Sequence, residues 1–245
     1  MMRTTQWSDA VSVIERVTIV LGCFGADDQR VGISELARRA NLPKSTVSRL
    51  VSELVDHRYL ERDGAGVRLG LRLFELGELA AQPRALRTLA LAAMADLRDV
   101  TGHTVQLAVL EGVEVVYVGV IHGRNPPAPR ARIGSRLPAH TTAVGKAILA
   151  FSAPDAVERV IETGLPRVGS APLDVAAFRA QLDRVRADGI ALDSDGGADC
   201  VASAILDGAG NAVAAISVCG RTGAFDAAGA GPAVHTAALG LARRL

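Results

Sequence analysis

Between Ile33 and Leu71 the chain reads ISELARRANLPKSTVSRLVSELVDHRYLERDGAGVRLGL. Few folds satisfy so many local signals at once. Ser34 is placed to cap a short helix over Glu35–Ala40. Asn41-Leu42 suits a tight turn, and Pro43 suits the first turn of a second helix, where its missing N–H costs nothing. In that helix Val47, Leu50, Val51 and Leu54 recur at i, i+3, i+4 and i+7, so one face packs inward. The other side carries Lys44, Ser45, Thr46, Ser48, Arg49 and Ser52. Small hydroxyls and two cations let a helix enter the major groove and bond phosphates and base edges. Tyr59–Arg62 and Val67–Leu69 then read as two short strands around Asp63-Gly64-Ala65-Gly66, a glycine-rich hairpin turn. Arg62 and Arg68 flank the tip, within reach of a sugar-phosphate backbone. The pattern predicts a winged helix-turn-helix that binds double-stranded DNA.

Charge supports this locally. The chain holds 27 Lys+Arg against 26 Asp+Glu, which gives no global basic field. From Arg30 to Arg72 there are nine Lys/Arg against five Asp/Glu. That fits a compact DNA-facing surface that gains affinity by using two or more copies on one operator.

At 245 residues, 49% of them hydrophobic, the chain has material for two modest domains. The three cysteines, Cys23, Cys200 and Cys219, are too few and scattered for a disulfide framework or a cysteine zinc site. A reducing cytoplasm is expected. The opening MMRTTQWSD lacks the apolar stretch of a secretory leader, and no apolar run approaches the ~20 residues of a membrane span.

The expected organisation is a DNA-binding domain over 1–72, a helical linker over 73–100 and an α+β domain over 101–245. A first helix should run from about Ser8 to Phe24. Leu71–Leu79 and Leu86–Val100 should form two helices interrupted at Gln82-Pro83-Arg84, with apolar faces suited to a dimer. Beyond Thr101, strands are expected at Thr104–Val109, Val113–Ile121, Arg130–Ile133, Ile190–Asp193, Cys200–Asp207 and Val213–Cys219. Helices are expected at Ala143–Phe151, from a capping box at Ser152–Asp155 to Glu162, at Asp174–Ala187 and at Ala227–Leu245. This mixture suggests one mainly antiparallel sheet with flanking helices.

Five segments, in order, resemble the IclR family of bacterial transcriptional regulators. They are SELARRANLPKSTVSRL, YLERD, LAVLEGVEVVYV, RIGSRLPAHTTAVGKAILA and CVASAILDGAGNAVAAISV. The resemblance implies a winged helix-turn-helix joined to a GAF-like effector domain, acting as a homodimer or homotetramer on palindromic operators. It implies a small-molecule effector, a small organic acid or related metabolite, and control of a catabolic operon. Carried over residue by residue, it places the effector near Leu137, Ala143, Val144, Asp193, Cys200, Ser217 and Cys219. Asp195 is the alternative to Asp193, because the loop between Asp193 and Cys200 is shorter than is usual in the family. Residues 217 and 219 share one face of a strand, so a thiol, a hydroxyl and nearby N–H groups could bind a carboxylate or carbonyl. Arg130 is read as a solvated side chain rather than a ligand.

Other readings are weaker. Cys200 with His140 as base would suit a hydrolase, but no third group orients the histidine and no glycine elbow holds the cysteine. A metal sensor would need clustered ligands, whereas His103, His122, His140 and His235 are dispersed. The lone Gly145-Lys146 lacks the glycines of a phosphate loop. The chain is therefore expected to be neither an enzyme nor a cofactor or metal protein.

Overall fold

The computed structural model describes residues 12–25, 28–124, 126, 131–166, 172–195 and 197–245. The chain divides into two compact units, Met1–Ala81 and Gln82–Leu245.

The first unit holds α1 (Val13–Gly22), α2 (Ile33–Ala40), α3 (Lys44–Asp56), the hairpin β1 (Leu60–Asp63) and β2 (Gly66–Leu69), and α4 (Leu71–Gly77). Val20, Leu36, Val47, Leu50, Val51, Leu60 and Val67 form its core, so the apolar face expected for α3 is the buried one. The expected start of α1 at Ser8-Asp9 lies outside the described residues. Ser12 instead caps α1, accepting from the Glu15 N–H at 3.1 Å.

Two capping expectations are corrected here. α2 begins at Ile33 with Gly32 as its cap, and Ser34 lies inside the helix. Tertiary pairing displaced the local signal. Val31 exchanges backbone hydrogen bonds with Val67 at 2.8 and 3.0 Å, adding a third strand-like segment to the wing. A Cβ on Gly66 would stand 3.0 Å from the Val31 carbonyl oxygen, so that glycine serves this close approach rather than a positive φ. Asn41 closes α2 in the left-handed region (φ 50°), and Pro43 is the cap of α3 rather than a residue of its first turn.

The second unit opens with α5 (Ala81–Thr101). The break before it falls at residues 78–80, not at Pro83, which sits in the first turn of α5, where helical N–H groups have no partner anyway. There follow β3 (Thr104–Glu111), β4 (Glu114–Ile121), β5 (Arg136–Pro138), a 3-10 turn at Ala139–Thr141, α6 (Ala143–Ala150), α7 (Pro154–Glu162) and α8 (Val175–Asp188). β6 (Ala191–Asp195), β7 (Ala198–Leu206), β8 (Ala212–Arg221) and α9 (Ala227–Ala242) complete the chain. The six strands form one antiparallel sheet in the order β5-β4-β3-β8-β7-β6. The architecture is α+β, as expected.

Here too local signals were overruled. The strand expected at Arg130–Ile133 is absent over residues 131–133, and Arg130 lies outside the described residues. The edge strand is Arg136–Pro138, specified by pairing with Glu114–Val116. Ser152 does not cap α7. Its hydroxyl donates to the Ile148 carbonyl at 2.9 Å, and Ala153 is the cap, followed by Pro154. Asp174 does cap α8, and Gly189 closes it at φ 74°.

Alternation along the strands sorts side chains between two layers. Val105, Leu107, Val201, Ile205, Ile216 and Val218 face α5 and α9. Ala108, Tyr117, Ala191, Ala202 and Ala215 face α6, α7 and α8. The alanines on that second face let α6 sit close. All eight α6 residues are buried, and a Cβ on Gly145 would lie 2.1 Å from the Ala139 carbonyl oxygen.

One acid-sensitive network joins α2 to the loop that follows α1. Glu35 accepts from Arg38 at 2.6 and 2.9 Å and from Arg39 at 2.7 Å, and Arg39 also pairs with Asp28. Hydrogen bonds from Arg38 and then Arg39 hold the Glu35 carboxyl at about 2, down from 4.5. A depressed carboxyl stabilises the fold above its ordinary value, and that contribution is lost as pH falls through 4.5 toward 2. Thermal melts between about pH 5 and about pH 3 should therefore show the wild type losing more stability than Glu35→Gln. Parallel loss in both would show the network to be inert.

Candidate functional site

Two surfaces bring together the expected residues. On α3, Lys44, Ser45, Ser48, Arg49 and Ser52 are exposed along one face, while Thr46 is half-buried. Neither Lys44 nor Arg49 has an acidic partner among the described residues, so both cations face solvent. In the wing, Arg62 is exposed. Arg68 is partly neutralised, 2.9 Å from Glu61 and 3.9 Å from Asp63. The Leu71 N–H and Arg68 hydrogen-bond the Glu61 carboxyl and lower its pKa.

In the second unit the sheet register builds a cleft. Asp193, Cys200, Cys219 and Thr104 form one cross-strand row over β6, β7, β8 and β3. Two residues along each strand, Ala191, Ala202, Ser217 and Gln106 form the next row. Every residue of the first row lines the cleft, as do Ser217 and Gln106, with Leu137, Ala143 and Val144 closing it from the α6 side. The cleft is open to solvent at its mouth, and the cavity it encloses is about 60 Å³. All seven expected residues line it.

The polar groups have definite roles. Thr142 caps α6, its Oγ1 accepting from the Gly145 N–H at 3.0 Å. The backbone N–H groups of Ala143 and Val144 are therefore the unsatisfied ones of the first turn, at the cleft. Such groups, with the helix dipole behind them, favour a carboxylate or phosphate. Gln106 is buried, and its Oε1 accepts from the Ser217 hydroxyl at 3.3 Å. Thr104 Oγ1 accepts from the Gly123 N–H at 3.1 Å. Sequence reasoning does not reach Thr104, Gln106 and Tyr117, and it takes His122 only as one of the dispersed histidines, although Thr104 and Gln106 alternate with Val105 and Leu107, the mark of a polar patch on one face of a strand.

Asp193 is not an open acid. Its Oδ1 lies 2.5 Å from Lys146 Nζ, and the Lys146 and Asp193 side chains are only 7% and 15% exposed. Asp195 lies on the same strand, but its side chain is outside the described atoms. Lys146 stands in the second turn of α6 as a buried counter-ion, not at a phosphate loop.

The cysteines bring a correction. Cys200 and Cys219 are not free thiols, because their sulfurs are joined in a disulfide. Sequence alone did not show this, since the register places them opposite one another across 19 residues. The hydrolase arrangement is thereby undone. Cys200 has no free sulfur in this state, and His140 is buried with Nε2 2.7 Å from the Pro166 carbonyl oxygen. His103 meets the Phe225 ring at a tilt, and His235 meets Ser203. Among the described residues no three His, Cys, Asp or Glu side chains gather as a metal site, and no helix is long and apolar enough to cross a membrane.

Comparison with known proteins agrees across both units. Residues 13–64 match the IclR helix-turn-helix domain, and residues 79–243 match the family described as bacterial transcriptional regulator IclR C-terminal. The chain is 30% identical over 224 residues to the HTH-type transcriptional regulator XynR of Escherichia coli, covering 88% of each. It is 31% identical over 218 residues to KdgR of the same organism, covering 86% of this chain and 82% of KdgR. An IclR homolog of Microbacterium hydrocarbonoxydans, solved in complex with 4-hydroxybenzoate, superposes with a TM-score of 0.86. It shares 32% identity and covers 95% of this chain and 98% of that one.

The Lys146–Asp193 pair supplies a test of the cleft wall. Removing one partner strands a buried charge, whereas removing both does not. Lys146→Met and Asp193→Leu should each cost about 3–5 kcal/mol in urea unfolding, and the double variant clearly less than their sum. Additive losses would show that the two groups do not depend on one another.

Proposed function

The chain belongs to the IclR family of bacterial transcriptional regulators, and from that premise we propose how it reads DNA and what it senses. α3 enters the major groove. Lys44, Ser45, Thr46, Ser48, Arg49 and Ser52 contact phosphates and base edges, while Arg62 and Arg68 of the wing touch the backbone. The protein acts in the cytoplasm as a homodimer or homotetramer on a pseudo-palindromic operator, because a local excess of four positive charges is small for tight binding by one copy. Exposed Leu71, Phe74 and Leu79 supply apolar surface for self-association.

The effector is a small organic acid, of the size and chemistry of the 4-hydroxybenzoate found in the Microbacterium homolog. The observation that carries this reading is the pairing of two unsatisfied N–H groups at the start of α6 with the buried Gln106–Ser217 pair in one cleft. The N–H groups hold the carboxylate, Leu137 and Tyr117 offer apolar contact, and Gln106 with Ser217 takes a second polar group. Asp193 acts through Lys146, setting the position of α6. No step of catalysis is assigned to these residues.

Two measurements test the two halves. In fluorescence anisotropy, Arg49→Ala should lose about 1–3 kcal/mol of specific operator affinity while its melting temperature stays at the wild-type value. Binding by the wild type should weaken steeply with salt. Unchanged affinity in the variant would displace α3 from the groove. In calorimetry with 4-hydroxybenzoate as probe, Ser217→Ala should bind more weakly by about 0.5–1.5 kcal/mol and bind operator normally without acid. Equal affinity for the acid would put the ligand elsewhere.

A further inference from the structure

Cys200 on β7 and Cys219 on β8 oppose one another directly on the wall of the cleft, with Cα atoms 4.2 Å apart and sulfurs joined. The ladder, not a mobile loop, places them together. Val201↔Val218 and Ala202↔Ser217 continue it on one side and Asp199↔Gly220 on the other. The two sulfurs therefore stay opposed whether or not the bond between them exists. Cys219 is 2% exposed, whereas Cys200 is half-buried, so a small reagent entering the cleft meets Cys200 first. In a reducing cytoplasm a disulfide is usually transient and redox-sensing rather than structural.

We propose that Cys200 and Cys219 form a reversible thiol–disulfide centre that a hydroperoxide closes and a small thiol reopens, altering the effector cleft. The Cys200 thiolate attacks the peroxide O–O bond. One oxygen becomes the sulfenic acid on Cys200, and the other leaves as water or alcohol with a proton. The Cys219 thiolate then attacks that sulfur. The S–S bond forms, the S–O bond breaks, and hydroxide leaves to become a second water with the remaining proton. Two thiols and one hydroperoxide thus give one disulfide, one water and one water or alcohol, with two electrons passing to peroxide oxygen. Two equivalents of a small thiol restore the pair and are themselves oxidised to a disulfide.

The state of the centre changes the cleft. Bonded sulfurs lie about 2 Å apart, whereas unbonded ones need roughly 3.5–4 Å. Cys219 is walled in, with Gln106 Oε1 3.4 Å from its sulfur. On reduction it is Cys200 that must move, toward the open side, and this narrows the space for a ligand. That consequence rests on the effector reading given above, while the thiol chemistry does not. Cys23 serves as an internal control in the other unit, because burial raises the pKa of its thiol and leaves less thiolate to react.

The full-length protein, reduced and desalted, is treated with equimolar hydrogen peroxide. The intact mass should fall by about 2 Da as two thiol hydrogens leave. The alkylatable thiols should drop from three to the single Cys23, peptide mapping should join Cys200 to Cys219, and dithiothreitol should reverse all of it. Cys219→Ser should stop at a sulfenic acid on Cys200 that dimedone traps. Equal oxidation of all three cysteines, a disulfide between chains, or a sulfinic acid on Cys200 overturns the centre. Calorimetry with 4-hydroxybenzoate then reads the coupling, and the disulfide form should bind at least about threefold more tightly than the dithiol. Equal affinities overturn the coupling. Binding to neither form counts against the effector reading alone, since the mass measurement has by then decided the thiol chemistry.

Discussion

The antiparallel register of the central sheet is the constraint on which the rest of the second unit depends. Side chains alternate with a period of two, so a slip of one residue on any strand would exchange its two faces. Held as it is, the register sends Val201, Ile216 and Val218 toward α5 and α9 and lines up Thr104, Gln106, Ser217, Cys200 and Cys219 on the other face. The slip is opposed by burial on both sides, since moving polar Gln106 and Ser217 into the aliphatic layer would strand them without partners. The same alternation that sorts the core therefore builds the cleft.

Small residues beside that row then decide what can approach it. Alanines at 108, 191, 202 and 215 let α6 lie against the sheet, and Gly145 lets its first turn press on the Ala139 carbonyl. A helix held this closely presents its first N–H groups at a fixed place. Lys146 and Asp193 join it to β6 by an ion pair that is costly to half-remove. The cleft is thus framed by backbone groups and a buried pair, while its base is set by the strand register. A ligand entering it would touch the start of α6 and the β3–β8 pair together, the kind of differential contact through which a small molecule can shift a conformational equilibrium.

Much of this was legible in the amino-acid order because it is local. The helix-turn-helix announces itself through Val47, Leu50, Val51 and Leu54 at helical spacing, and through Asn41 at the turn. The turn joining β7 to β8 is just as local, with backbone N–H groups of Asn211 and Ala209 bonding the Asp207 carboxyl and lowering its pKa. Where distant pairing decided, local signals misled. Ser34 has the chemistry of a cap, but Val31 is drawn to Val67 and the helix starts earlier. β5 has three residues and exists because β4 offers an edge. The cysteine pairing needed the register of β7 against β8, which no count of cysteines contains. The residues named through the family resemblance do line one cleft, because most of them lie on the segments that carry it.

The central claim is that a small acid in the cleft and an operator on α3 influence one another. Any such coupling is reciprocal in binding free energy. The direct measurement is a closed cycle on the wild-type protein. Operator affinity is determined with and without saturating 4-hydroxybenzoate, and acid affinity with and without saturating operator. The account predicts the same factor on both arms, roughly 5- to 150-fold. Acid that binds in the cleft while both factors stay at unity would contradict it.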